Sequence, residues 1–211
     1  MISRRLFAVS IVVAYVVLMA CGAAQAGLSL EERWPLVYSD FITVDYTSHV
    51  FSAAGWAETV HWNAGDDEGQ YLGDSSSFSL TASIDSFGQI ISEGPHELNV
   101  IGDLTPGLVQ GEGGDTPVSL FYSTNLKDFG WNGTSFDFIF LQEGPTPLVA
   151  DGTRVGVKLF PGTIEPLIWG FEVDFSDDGT GISKTFPIPE PSGLALLAIG
   201  ALGLLRRGRR S

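Results

Sequence analysis

From Ser77 to Ile84 the chain alternates without a break: Phe78, Leu80, Ala82 and Ile84 are apolar, and Ser77, Ser79, Thr81 and Ser83 are polar and small. A period of two places successive side chains on opposite faces of a strand, so this segment predicts a sheet with one dry and one wet face. The same period recurs along the chain. Ile42, Val44 and Tyr46 alternate with Thr43 and Asp45, and Val155, Val157 and Leu159 with Arg154, Gly156 and Lys158. Phe136, Phe138 and Phe140 alternate with Asp137, Ile139 and Leu141, and Trp169, Phe171, Val173 and Phe175 with Gly170, Glu172 and Asp174. Leu98 to Ile101 and Val118 to Tyr122 are shorter candidates.

Turn-forming clusters separate these runs, among them Asn63–Asp67, Asp85–Gly88, Gly111–Asp115, Glu143–Pro147 and Asp177–Gly179. Short strands at this spacing, with 26 glycines and few helix formers, predict an all-β chain. The expected architecture is a single antiparallel β-sandwich or jelly-roll-like domain over residues 27–186. Leu28 to Arg33 is the one stretch that hints at a brief helical turn.

Charge divides sharply along the chain. Arg4, Arg5, Arg206, Arg207, Arg209 and Arg210 lie near the two ends, which leaves the middle Arg33, Lys127, Arg154, Lys158 and Lys184. All the acids except Glu190 fall between Glu31 and Asp178, giving that region a net charge of about −19 at neutral pH. A surface so acidic repels phosphate backbones and excludes nucleic acid as a partner. Cys21 is the only cysteine, so neither disulfides nor cysteine-ligated metal clusters stabilise the middle of the chain.

The first 26 residues carry Arg4 and Arg5, an apolar stretch from Leu6 to Ala20, and Ala24-Gln25-Ala26, a small-x-small site that signal peptidase would cut to leave Gly27 first. Ser3 to Phe7 resembles the start of a twin-arginine signal, but the strongly apolar segment behind it favours ordinary secretion. Leu18 to Cys21 resembles a lipobox in which the cysteine would be lipidated, with Met19 a poor fit.

The other end, residues 187–211, has three parts. Pro189, Glu190 and Pro191 form a turn-prone spacer that cannot enter a helix. An apolar run from Gly193 to Leu205 follows, with Ser192 suited to cap it, and Arg206, Arg207, Arg209 and Arg210 close it as a basic stop. As a helix the fourteen residues from Ser192 to Leu205 would span roughly 21 Å, short of a hydrocarbon core of about 30 Å. In this order the three parts resemble the PEP-CTERM tail of exported proteins from exopolysaccharide-producing bacteria. The resemblance implies a short C-terminal transmembrane helix, temporary anchorage in the cytoplasmic membrane, and processing at Pro189-Glu190-Pro191 by an exosortase-type sorting enzyme. The bacterial membrane and that enzyme are then the expected partners, with envelope polysaccharide a further candidate.

Candidate chemistry in the middle is sparse. His49, His61 and His96 have no ligand spacing, and His61 fits a solvent-facing strand position. Asp174, Asp177 and Asp178 beside Gly179, and Asp66, Asp67 and Glu68, offer oxygen-rich turns of the kind calcium uses, but Asp and Gly are equally the ordinary residues of turns. Asp137 and Glu172 are conceivable as a glycosidase pair, whereas Gly-x-Ser-x-Gly is absent. Trp34, Trp56, Trp62, Trp131 and Trp169 are candidates for a sugar-stacking platform, with Trp131 in Gly130-Trp131-Asn132-Gly133 the preferred surface position. No catalytic residue, metal site or cofactor is assigned. The expectation is a non-enzymatic exported surface or matrix protein, with a carbohydrate-binding module and a sandwich-fold glycoside hydrolase as alternatives.

Overall fold

The structure, a computed structural model, describes residues 28, 30–66, 69–111, 113, 116–162, 171, 173–177 and 179–188. The strands are β1 (Leu36–Thr47), β2 (Val50–His61), β3 (Gln70–Tyr71), β4 (Ser77–Ser83), β5 (His96–Gly102), β6 (Val118–Ser123), β7 (Leu126–Trp131), β8 (Phe136–Leu141), β9 (Arg154–Phe160), β10 (Phe175–Ser176) and β11 (Gly181–Ile188). They form one sheet in the order β6-β5-β4-β2-β1-β11-β9-β8-β7, with β10 on β1 and β3 on β2. All pairings are antiparallel.

The ends of this path, β6 and β7, are consecutive in the chain and joined only by Thr124 and Asn125. The Ser123 hydroxyl donates to the Leu141 carbonyl at 2.6 Å, Leu141 N–H to the Asn125 carbonyl at 3.0 Å, and Glu143 N–H to the Tyr122 carbonyl at 2.9 Å. The two edges of the sheet are thereby drawn together. Phe51 of β2 lies four strands from β8 along the path, yet its ring sits 4.9 Å from Phe136 and 5.1 Å from Phe138. Contact across that separation requires the sheet to curl on itself, and the result is a nearly closed nine-strand barrel.

This corrects the expected sandwich or jelly roll. Alternation reports only that each strand has a dry and a wet face, a property shared by sandwiches and barrels; whether the edges meet depends on contacts remote in sequence. The expected C-terminal transmembrane helix, and the membrane anchorage that depended on it, have no counterpart among the described residues. No helix is present among the described residues, and none there is long and apolar enough to cross a membrane. Residues 189–211, on which that expectation rested, lie outside the described residues, as do residues 1–27. Leu28 to Arg33 forms no helical turn where it is described.

The interior is aromatic. Phe51, Phe78, Phe121, Phe136, Phe138, Phe140 and Phe171 are fully buried, each contributing about 1.5–3 kcal/mol by leaving water. Phe171 reaches this core from a turn, not from a strand, with its ring 5.0 Å from Tyr46 and 5.4 Å from Phe129. Of the run predicted as a strand from Trp169 to Phe175, Trp169, Gly170 and Glu172 lie outside the described residues; among the others only Phe175 is in a strand, and Val173 is exposed.

β1 is bent by a bulge between Asp40 and Thr43, where Phe41 takes φ 52° and its N–H is held by the Asp40 carboxylate at 2.8 Å. Gly55 faces the bulge from β2. A Cβ there would lie 2.7 Å from the Asp40 carbonyl oxygen and 2.5 Å from Ile42 Cδ1, so only glycine allows the strands to approach.

Candidate functional site

Antiparallel pairing gathers several strand ends at one end of the barrel. Leu36, the first residue of β1, pairs with His61, the last of β2, and Ile188, the last of β11, pairs with Arg154, the first of β9. The β8–β9 connection closes the same end. It is held by Gln142, a buried side chain whose amide donates to the Gly144 carbonyl at 3.0 Å and whose oxygen accepts from Tyr122 N–H at 3.1 Å. Asp151 completes the loop by accepting from Gly144 N–H at 2.8 Å.

A groove of about 520 Å³ opens here. Arg33 and Trp34 on the approach to β1 form one wall, Asp151, Gly152 and Thr153 another, and Pro187 and Ile188 of β11 the third. Beside it, Trp34 is 39% and Trp62 44% exposed. His61 precedes Trp62 in the chain, and its ring lies 6.4 Å from Trp34 and 4.7 Å edge-on from Tyr38. The imidazole is oriented by contacts of Nδ1 with the Asp66 carbonyl oxygen at 2.6 Å and of Nε2 with the Thr59 hydroxyl at 3.2 Å.

Of the five basic residues of the acidic body, Arg33 and Arg154 lie at this end, Lys158 and Lys184 lie further along their strands, and Lys127 is on β7. Lys158 and Lys184 are register partners on β9 and β11, Arg154 opens β9, and Arg33 precedes β1. Lys184 Nζ bonds both Glu32 carboxylate oxygens at 3.0 and 3.2 Å and sits 5.2 Å from the Tyr38 ring centroid. Burial works against its charge, but Glu32 and Tyr38 outweigh that and hold its pKa above the ordinary value. Arg33 pairs with Glu31 at 2.8 Å, a surface contact of small energetic weight.

The other candidates separate as follows. Trp131 is not a surface residue: it is 8% exposed and stacked on Phe136 at 4.2 Å. Among the described residues the exposed tryptophans are Trp34 and Trp62; for Trp34 the Glu-Arg-Trp-Pro run before the first strand was the available signal. Asp137 is fully buried, its Oδ1 accepting from the Ser135 hydroxyl at 2.8 Å, and desolvation pushes its pKa up against the opposing effects of Ser135 and Lys158. Glu172, its expected partner, lies outside the described residues.

Asp177 uses its carboxylate on backbone, accepting from Val44 N–H at 2.8 Å and Gly179 N–H at 3.1 Å, and Asp174 accepts from Ser48 N–H at 3.1 Å. Asp66 likewise accepts from Trp62 and Gly69 N–H. Asp67, Glu68 and Asp178 lie outside the described residues. Among the described residues, no three His, Cys, Asp or Glu side chains are grouped so that they could hold a metal ion. His49 occupies the β1–β2 turn at φ 69°, and His96 Nε2 lies 3.0 Å from the Ile91 carbonyl oxygen. The sorting residues Pro189, Glu190 and Pro191, the arginines at 206, 207, 209 and 210, and Ala24, Ala26 and Gly27 all lie outside the described residues.

Residues 187–210 match the family model of the PEP-CTERM protein-sorting motif. No curated protein and no solved structure matches the chain. The match begins at Pro187, within β11, so the sorting motif starts while the chain is still in the barrel wall.

Proposed function

We propose that this protein is a non-enzymatic surface or matrix-associated barrel that is exported and then processed at its C-terminal motif by an exosortase-type enzyme. The observation that carries the reading is the sorting motif at residues 187–210, which supports an exported, sorted surface protein. The acidic body contributes solubility and mutual repulsion at a crowded surface. A hydrolytic role finds little support, since Asp137 is sealed from solvent.

The test is mass spectrometry of both ends of the protein recovered from its own cells. The expected product begins at Gly27 and has lost the residues beyond the Pro189-Glu190-Pro191 motif, and Glu190→Ala blocks the second event. Recovery of an intact chain from Met1 to Ser211 in the cytosol would overturn the reading.

Carbohydrate binding is a second reading, favoured by the exposed Trp34 and Trp62, since aromatic faces of this kind stack on sugar rings. A glycan screen on the full chain tests it. Saturable binding that survives salt and disappears in Trp34→Ala and Trp62→Ala supports the module, and an unchanged profile removes it.

A further inference from the structure

We infer that the groove end of the barrel, centred on Arg33 and Trp34, is a docking surface for the enzyme that processes the sorting motif. The inference rests on the sorting reading above and adds to it a surface on the folded domain. Its basis is tether length. β11 holds Pro187 and Ile188 in register with Val155 and Arg154, and Glu190 is only two residues further on. Two extended residues reach at most about 7 Å, less than the diameter of a single helix at about 10 Å. An enzyme that closes on Pro189-Glu190-Pro191 therefore meets the barrel end at the same moment.

Retreat by peeling β11 is opposed by the fold. β11 is an interior strand, bonded to β1 on one side and β9 on the other, and Phe186 is fully buried. A Cβ on Gly156 would come 2.9 Å from the Phe186 ring, which shows how closely the two strands are packed there. Freeing more than Pro187 and Ile188 opens the barrel wall.

The composition of this end fits a protein partner. Arginine and tryptophan are the residues that most often carry interface energy, and Arg33 and Trp34 stand side by side on the groove wall with Trp62 nearby. The body as a whole is strongly acidic, whereas here Arg33, Arg154 and Lys184 stand near the groove, Arg33 paired with Glu31 and Lys184 with Glu32. The complementary partner face is apolar, carries carboxylates to meet the arginines, and lies beside the catalytic cleft of the processing enzyme.

The experiment follows processing of the full chain in its own cells by pulse-chase and C-terminal mass spectrometry. The variants are Arg33→Glu, Trp34→Ala, Trp62→Ala and the first two combined, each with and without a twelve-residue Gly/Ser spacer between Ile188 and Pro189. Signal-peptide removal and the melting curve of the recovered protein serve as controls for export and folding, and Arg33→Glu, on an exposed side chain, keeps the test open if a tryptophan variant misfolds.

The combined variant is expected to be processed on the order of tenfold more slowly than the unaltered chain, as loss of one interface anchor predicts. The spacer should abolish that difference, because a longer tether releases the enzyme from the barrel end. Processing of the combined variant at the unaltered rate, or a defect of equal size with the spacer in place, would overturn the inference. Normal processing of Glu190→Ala would instead overturn the sorting reading itself.

Discussion

Ser39 of β1 and Ser183 of β11 lie directly opposite one another on the inner face of the barrel, both hydroxyls buried and neither with a hydrogen-bond partner among the described residues. Thr185, two residues along β11 and opposite Val37, is in the same position. Three hydroxyls on a dry face stand out because an unsatisfied buried polar group costs about 1–3 kcal/mol. Thr185→Val keeps the shape and removes the polar atom. It should raise the unfolding free energy by about 1 kcal/mol, read as a higher denaturant midpoint at unchanged slope; a clear loss would mean the hydroxyl is satisfied.

Phe136 is the hub of the aromatic interior. Its ring stacks on Trp131 at 4.2 Å and on Phe175 at 6.0 Å, and meets Phe51 edge-on at 4.9 Å. Phe136→Ala leaves a cavity between facing arcs of the barrel that neither can close alone, so a loss of about 3–5 kcal/mol is expected. Chemical denaturation measures it, and a loss below about 1 kcal/mol would show that the two arcs do not depend on this ring.

Asp137 sets a pH dependence of unusual sign for a carboxylate. Desolvation raises its pKa from the ordinary 3.8, so the folded protein keeps a proton that the unfolded chain has already released. Below the unfolded value both states are protonated and the contribution is at its most favourable. Stability then falls as pH climbs from that value to the raised one, by about 1.4 kcal/mol for each unit between them. Asp137→Asn removes this slope. The stability of the variant relative to the parent should improve as pH rises from about 4 to 7, whatever the offset at pH 4. A pH-independent difference would show that the carboxyl ionises alike in both states.

Tyr71 is buried, and its hydroxyl donates to Asp74 Oδ1. Burial first, and then the Asp74 carboxylate, push its pKa up to about 12. The folded protein therefore retains this proton above pH 10, and the corresponding stability is lost between about 10 and 12. Ultraviolet titration should show a late-ionising phenol that Tyr71→Phe abolishes. Loss of a normally titrating phenol in that variant would contradict the arrangement.

The inward residues were readable because alternation is local. Phe78, Leu80, Ala82 and Ile84 are buried, as are Ile42, Val44 and Tyr46. The β1–β2 turn was not readable: Ser48 and His49 both adopt positive φ, 53° and 69°, without the Asn-Gly that usually signals such a turn. Asp137 and Ile139 were read as outward residues and are buried nonetheless, since the cover over a strand's second face comes from segments remote in sequence. Trp131 failed for a related reason. A loop-like Gly-Trp-Asn-Gly context says nothing of Phe136 five residues on, against which the indole stacks once β7 and β8 pair.

The chain's order of residues was sufficient for its strand periodicity, its acidic body and the sorting motif, because each is a property of contiguous residues. Tertiary structure alone decided that the sheet closes on itself and that the tryptophans at the groove end face solvent. It also set the start of the sorting motif inside the barrel wall. These depend on strands far apart in the chain meeting across the sheet, and the pattern of neighbours along a sequence carries no record of such meetings.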